Sequence, residues 1–130
     1  MAVTVVLVVS SSGLTTAKQL GLHLSCEVHG TVGVCDLVVP DLKAHLNKLF
    51  KNKTTIVFVG ALGILIRLLA SSIREKSTEG SVIVVAEDGT AVIPALGGHK
   101  GANDLSLELA DFLEIKASIT TASDLHYNCL

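Results

Sequence analysis

The chain has 130 residues, 49% of them hydrophobic and only four aromatic (three Phe and one Tyr), and carries a formal charge of −2 with its histidines neutral. One domain of that length buries about two-thirds of its unfolded surface, so a core forms without disulfides or metals. With no basic excess and few rings for bases to stack on, nucleic-acid binding is not expected.

The cysteines Cys26, Cys35 and Cys129 are odd in number and form no CxxC pair, which fits reduced thiols in a cytoplasmic protein. Residues 2–9 are apolar but too short, and without the basic flank, for a signal segment. Residues 56–70 carry Gly60, Gly63 and Arg67 and fall short of the ~20 residues that span a bilayer. No membrane association is expected.

In chain order, residues 3–9 are a β-branched run and predict a buried strand. Residues 10–13 (Ser-Ser-Ser-Gly) predict a turn able to form an anion nest. Residues 14–24 predict a helix with Leu14, Ala17, Leu20 and Leu24 on one side, weakened by Gly21. Residues 26–39 are ambiguous and suggest one or two short strands. Pro40-Asp41 opens a helix to about Lys51, with Leu42, His45, Leu46 and Leu49 on its apolar face. Residues 55–59 predict a second buried strand, residues 60–63 a tight turn, and residues 64–74 an apolar helix. Residues 81–86 and 90–96 flank Glu87-Asp88-Gly89, a hairpin signal that brings an antiparallel strand into an otherwise parallel sheet. Residues 96–103 form a loop, 104–113 an amphipathic helix and 117–121 a last short strand. Strands alternating with helices predict an α/β fold: a mainly parallel, doubly wound sheet with helices on both faces, a Rossmann- or flavodoxin-like three-layer sandwich.

Ligands of open α/β sheets bind at the carboxyl ends of the strands. Four segments are expected there: residues 10–13, 60–63, 97–103 and 120–124. The third is the richest. Gly97, Gly98 and Gly101 let backbone N–H groups converge, and the helix that follows aims its positive end at the same place, suiting a carboxylate, phosphate or oxyanion. His99 adds a group that titrates near neutrality, Lys100 a charge, and Asn103 a helix cap. The competing reading is a turn whose glycines serve backbone angles alone. Arg67 reads either as a helix arginine reaching for water or as a fixed cation for a carboxylate. Thr120 and Thr121 with Asp124 read either as donors and a proton acceptor or as capping residues. No histidine pair has zinc-site spacing, so no structural metal is expected. Walker and dinucleotide signatures are absent from the sequence.

Phe58-Val-Gly-Ala-Leu-Gly-Ile64 with Arg67, then Asp88-Gly89, then Val92-Ile-Pro-Ala-Leu-Gly-Gly-His99 with Gly101-Ala-Asn-Asp-Leu105, then Ile119-Thr-Thr-Ala-Ser-Asp124 follow one another in order. This succession resembles the amino-terminal domain of the cobalamin-biosynthesis hydrolase CbiG. The match runs from about Ile56 to Asp124; residues 1–55 agree only in layout. The turn after Lys76 departs from the family pattern, with Ser77 following where Asp-Pro is usual.

The resemblance implies hydrolysis of the δ-lactone of cobalt-precorrin-5A with release of acetaldehyde, giving cobalt-precorrin-5B. The cobalt would come with the substrate, and no protein cofactor is implied. Residues 1–124 are expected to be one such domain and 125–130 a tail. Family members usually continue into middle and carboxyl-terminal regions, so activity is expected to need a further domain. His99 and Asp124 are the expected catalytic groups. Ser11, Gly13, Gly60, Gly63, Arg67, Gly97, Gly98, Lys100, Gly101, Asn103, Thr120 and Thr121 are the expected substrate contacts. Expected partners are the cobalt-corrinoid, a second CbiG domain or subunit, and a second copy of the chain as a homodimer. Two alternatives stay open: a corrinoid- or carboxylate-binding module without catalysis, and a small-anion binder unrelated to corrinoids.

Overall fold

The structure is a computed structural model, and it describes residues 3–73 and 80–121. Six strands form one sheet: β1 (Thr4–Val8), β2 (Glu27–Gly30), β3 (Leu37–Val38), β4 (Thr55–Val59), β5 (Val82–Val85) and β6 (Val92–Leu96). Their spatial order is β3-β2-β1-β4-β5-β6. All neighbours are parallel except β5 and β6. The helices are α1 (Leu14–Leu24), α2 (Leu42–Lys51), α3 (Leu62–Leu69) and α4 (Ala102–Phe112). This is the expected three-layer α/β sandwich.

Successive strand residues point to opposite faces. Val6, Val8, Val57, Val59, Ile83 and Val85 form one core with Ala17 and Leu20 of α1 and Leu109 and Ala110 of α4. Leu7, Ile56, Phe58, Val82 and Val84 form the other with Leu46 and Phe50 of α2 and Leu65 and Leu69 of α3. Both faces are covered, which is why the bodies of these strands are apolar on both sides rather than alternating with polar residues. Each Val, Leu, Ile or Phe among them contributes about 1.5–3 kcal/mol on full burial.

The local signals act as their chemistry dictates at most ends. Asp41 caps α2 by accepting the Ala44 amide at 3.1 Å. Gly89, at φ +76°, turns the hairpin, and Ala86 N–H donates to Ala91 O across it. α3 starts at Leu62, two residues earlier than the apolar pattern suggested, so Gly63 lies inside the helix and not in the turn. It stops at Leu69, short of the expected end; Asn47 Nδ2 of α2 donates to the Leu68 carbonyl at 2.9 Å there. Residues 74–79 lie outside the described residues.

The expected last strand does not form. Residues 117–120 run beside the start of β6, alternating half-buried and exposed, and Ser118 N–H donates to Val92 O at 2.8 Å. No strand pairing extends from that bond; Pro94 of β6 has no N–H to offer a neighbour. Among the described residues no helix is long and apolar enough to cross a membrane.

Candidate functional site

The glycine-rich loop follows β6. That strand is antiparallel, with Leu96 opposite Val82 and Val92 opposite Val85, so it ends where β5 begins. Gly97 packs on Gly80 and Ser81, and Ser81 Oγ donates to the Lys100 carbonyl at 3.1 Å. The backbone is left-handed at Gly97 (φ +72°) and Gly101 (φ +108°), and Gly98–Lys100 make a 3-10 turn between them. The Gly97 carbonyl accepts both the Lys100 amide (2.8 Å) and the Ala102 amide (3.2 Å). Those two N–H groups therefore serve the turn itself. His99 and Lys100 are exposed on the loop's outer side, directly before α4.

Asn103 does not cap α4: that position is Gly101. It sits inside the first turn, 4% exposed, and donates through Nδ2 to Thr121 Oγ1 at 2.8 Å. A side chain at Gly98 would meet Asn103 Oδ1 at 3.1 Å and Thr121 Cγ2 at 3.2 Å. Asn103 and Thr121 thus form a clasp beneath the loop. The clasp holds the chain leaving α4 against the start of that same helix.

The opposite end of the sheet is where a fold of this kind places a ligand crevice. β1 and β4 are neighbours, while the helices that follow them, α1 and α3, cover opposite faces. A crevice opens between such strands. Ser11, Gly13 and Gly60 line this end. A Cβ on Gly60 would come within 2.9 Å of Val9 Cγ2, so the residue is small because β1 and β4 converge there. Ser10 and Ser12 hydroxyls donate to the Glu87 carboxylate, the latter at 2.8 Å, and Thr16 Oγ1 donates to the Glu87 carbonyl at 2.6 Å. The Ser10 and Ser12 hydroxyls hold the Glu87 carboxyl below its ordinary range. The turn expected to nest a ligand's anion is thus engaged with a carboxylate of the chain itself. Glu87 was hidden in a hairpin signal; its position after the buried parallel strand β5 was the clue to it.

The four segments expected at one end therefore split between two. Ser11, Gly13 and Gly60 share the carboxyl end of the parallel strands. Gly97, Gly98, His99, Lys100, Gly101, Asn103 and Thr121 share the amino end. Strand polarity is the cause: a loop after an antiparallel strand exits on the far side. Gly63 and Arg67 lie on the exposed side of α3, with an Arg67 guanidinium nitrogen 3.8 Å from where a Gly63 Cβ would stand. Thr120 is exposed beside α3 and β6. Asp124 lies outside the described residues.

One further polar cluster is centred on a buried histidine. His29 of β2 is 6% exposed; its Nδ1 is 2.9 Å from His45 Nε2 on α2 and its Nε2 is 3.2 Å from Glu27 Oε1. Burial, then His29 and Lys48, pushes the His45 imidazole below its ordinary value. These histidines join α2 to the sheet.

A mainly parallel three-layer α/β sandwich with a glycine-rich turn leading into its last helix is the class that fold and site define. The family profile described as "Cobalamin synthesis G N-terminal" matches residues 44–124, and the chain belongs to that family. It is 41% identical over 78 residues to a cobalt-precorrin-5A hydrolase of Salmonella typhimurium, covering 59% of this chain and 22% of that protein. Against a cobalt-precorrin-5A hydrolase of Priestia megaterium it is 38% identical over 80 residues, covering 61% and 21%. A crystal structure of a cobalamin biosynthesis protein G homolog from Sulfolobus solfataricus superposes with a TM-score of 0.69 at 24% identity, covering 91% of this chain and 36% of that one. It bears out the fold. The matched part is about a fifth of the length of the two hydrolases.

Proposed function

We propose that this domain supplies one wall of a cobalamin-biosynthesis hydrolase site. The reaction would be opening of the cobalt-precorrin-5A δ-lactone, completed by a further domain. The observation that carries the reading is the Gly97–Gly101 turn, which holds His99 and Lys100 exposed at the start of a rigid helix. A cobalt-precorrin is fringed with acetate and propionate carboxylates, and Lys100 and Arg67 are cations suited to them. His99 is the group to take a proton from water as it attacks the lactone carbonyl. Gly97, Gly98 and Gly101 are the candidate oxyanion donors through their backbone N–H groups, and Asp124 is the candidate partner for His99. Cobalt enters with the substrate.

The test is acetaldehyde release by a complete enzyme carrying this domain, with and without His99→Gln. General-base loss lowers turnover by about 10²–10⁴-fold. Unchanged turnover removes His99 from the chemistry. The Lys100 and Ala102 amides, both spent on the Gly97 carbonyl within the turn, favour a second reading, a corrinoid-binding module that does not turn over alone. Corrinoid binding by the full chain without acetaldehyde release supports this second reading; turnover by the chain alone refutes it.

A further inference from the structure

A groove of about 290 Å³ runs between α3 and β6, lined by Leu62, Ile66, Ile73, Pro94 and Leu96, with Thr120 the polar side chain on its rim. Its α3 side is exposed to an unusual degree for isoleucine and leucine: Ile66 is 53% exposed, Leu62 and Ile73 36% each. Contiguous exposed aliphatic residues on a small domain mark a surface that meets another protein surface. The groove has few polar groups to orient a small ligand, unlike the mixed lining of ordinary ligand pockets. β6 is also the last strand of the sheet, and Pro94 discourages simple strand addition along it.

The chain's own path says what arrives there. After α4 it returns beside Val92, reaches the groove rim at Thr120 and is fixed by Thr121 to Asn103. The matched family region is an amino-terminal one, and it makes up 22% and 21% of the two hydrolases. A polypeptide that continues from this region therefore starts one residue from the groove rim. Tethering at the rim raises its effective concentration to roughly millimolar, so modest apolar contacts suffice to seat it.

We infer that the α3–β6 groove is the docking face for the carboxyl-terminal continuation of the CbiG chain, which lays an apolar surface against Ile66, Leu62 and Ile73. The inference rests on the family membership and the proposed need for a further domain. It places that domain along α3, away from the serine turn and Glu87.

Hydrogen–deuterium exchange on two intact proteins tests it: this full chain, and the full-length Salmonella typhimurium hydrolase. The expected result is that the segments corresponding to α3 and β6 exchange about tenfold or more slowly in the full-length enzyme, after correction for intrinsic rates. The segment corresponding to the Gly60–Ala61 turn should exchange alike in both. Equal exchange of α3 and β6 in the two proteins overturns the inference. So does strong protection of the groove in this chain while monomeric, which would mean its own residues cover it. A dimer of this chain that Ile66→Asp dissociates would instead assign the face to a second copy, and overturn it too. Ile66→Asp is at an exposed position and is expected to leave the fold intact by circular dichroism. None of these outcomes involves acetaldehyde release, so the docking face and the proposed reaction fail separately.

Discussion

Replacing Gly97 with alanine is the sharpest test of how the candidate loop is built. At φ +72° an alanine stays in the left-handed region, which costs about 1–2 kcal/mol for a residue with a Cβ. That Cβ would also stand 2.8 Å from the Gly80 carbonyl oxygen and 3.0 Å from Ser81 Cα. Both are backbone atoms at the start of β5, so neither retreats as a flexible side chain would. Overpacking of this kind adds about 1–3 kcal/mol, for a total of about 2–5 kcal/mol. At roughly 4 °C per kcal/mol for a domain of this size, the melting temperature falls by about 8–20 °C. Gly101→Ala is the matched control. Its φ of +108° is also unfavourable, but nothing lies within 4 Å of the new Cβ, so it loses only the backbone part. Gly33→Ala has open space and no left-handed backbone, and should change stability by under about 1 kcal/mol in either direction. Thermal unfolding followed by circular dichroism ranks the three. If Gly97→Ala melts with Gly101→Ala, the close approach of the loop to Gly80 is wrong.

Asp41→Ala removes the side chain that accepts the Ala44 amide and should destabilise by about 1 kcal/mol, read from urea unfolding. The lowered His45 value means that the fold favours the neutral ring. Stability is therefore full above the ordinary imidazole range and declines as pH falls from there toward the lowered folded value; in His45→Gln that part of the decline should be absent from urea midpoints measured against pH. Glu87 carries the opposite charge preference but the same direction of dependence. Its contribution holds above the ordinary carboxyl range and is lost as pH falls through the lowered folded value, so Glu87→Gln should flatten the acid limb of the same curve. His23 stacks on Phe112 with ring centroids 4.2 Å apart and lies 3.3 Å from Glu108, so His23→Ala should loosen α1 from α4, seen as faster amide exchange in both helices.

Much of the fold was legible because its signals are local. Residues 5–8 and 56–59 are apolar runs rich in β-branched residues, and such runs have few alternatives to a strand covered on both faces. Asp88-Gly89 turned the chain where expected, since glycine there adopts φ +76° freely. The ambiguous stretch 26–39 resolved into β2 and the two-residue β3, too short for periodicity to register. The failures were at places where a distant partner decides. Asn103 has the composition of a cap, but Thr121, eighteen residues away, draws it inward. Residues 117–121 have the composition of a strand, but the neighbour they need offers a proline.

The candidate site shows the same division. The turn chemistry of Gly97 and Gly101, the exposure of His99 and Lys100, and the helix that follows them are consequences of nearby residues, and the sequence determined them by itself. Which end of the sheet the loop occupies depends on the direction of β6. The Asp88-Gly89 hairpin signal already implied the reversal of β6 against β5; which backbone the reversed loop meets, through the place of β6 beside β5 at the sheet edge, only the tertiary structure decided. The reversal carries Gly97 to Gly80 and Ser81, a sheet's length from Ser11, Gly13 and Gly60. It leaves the serine turn to Glu87, because a hairpin returns the chain to the end from which its first strand began.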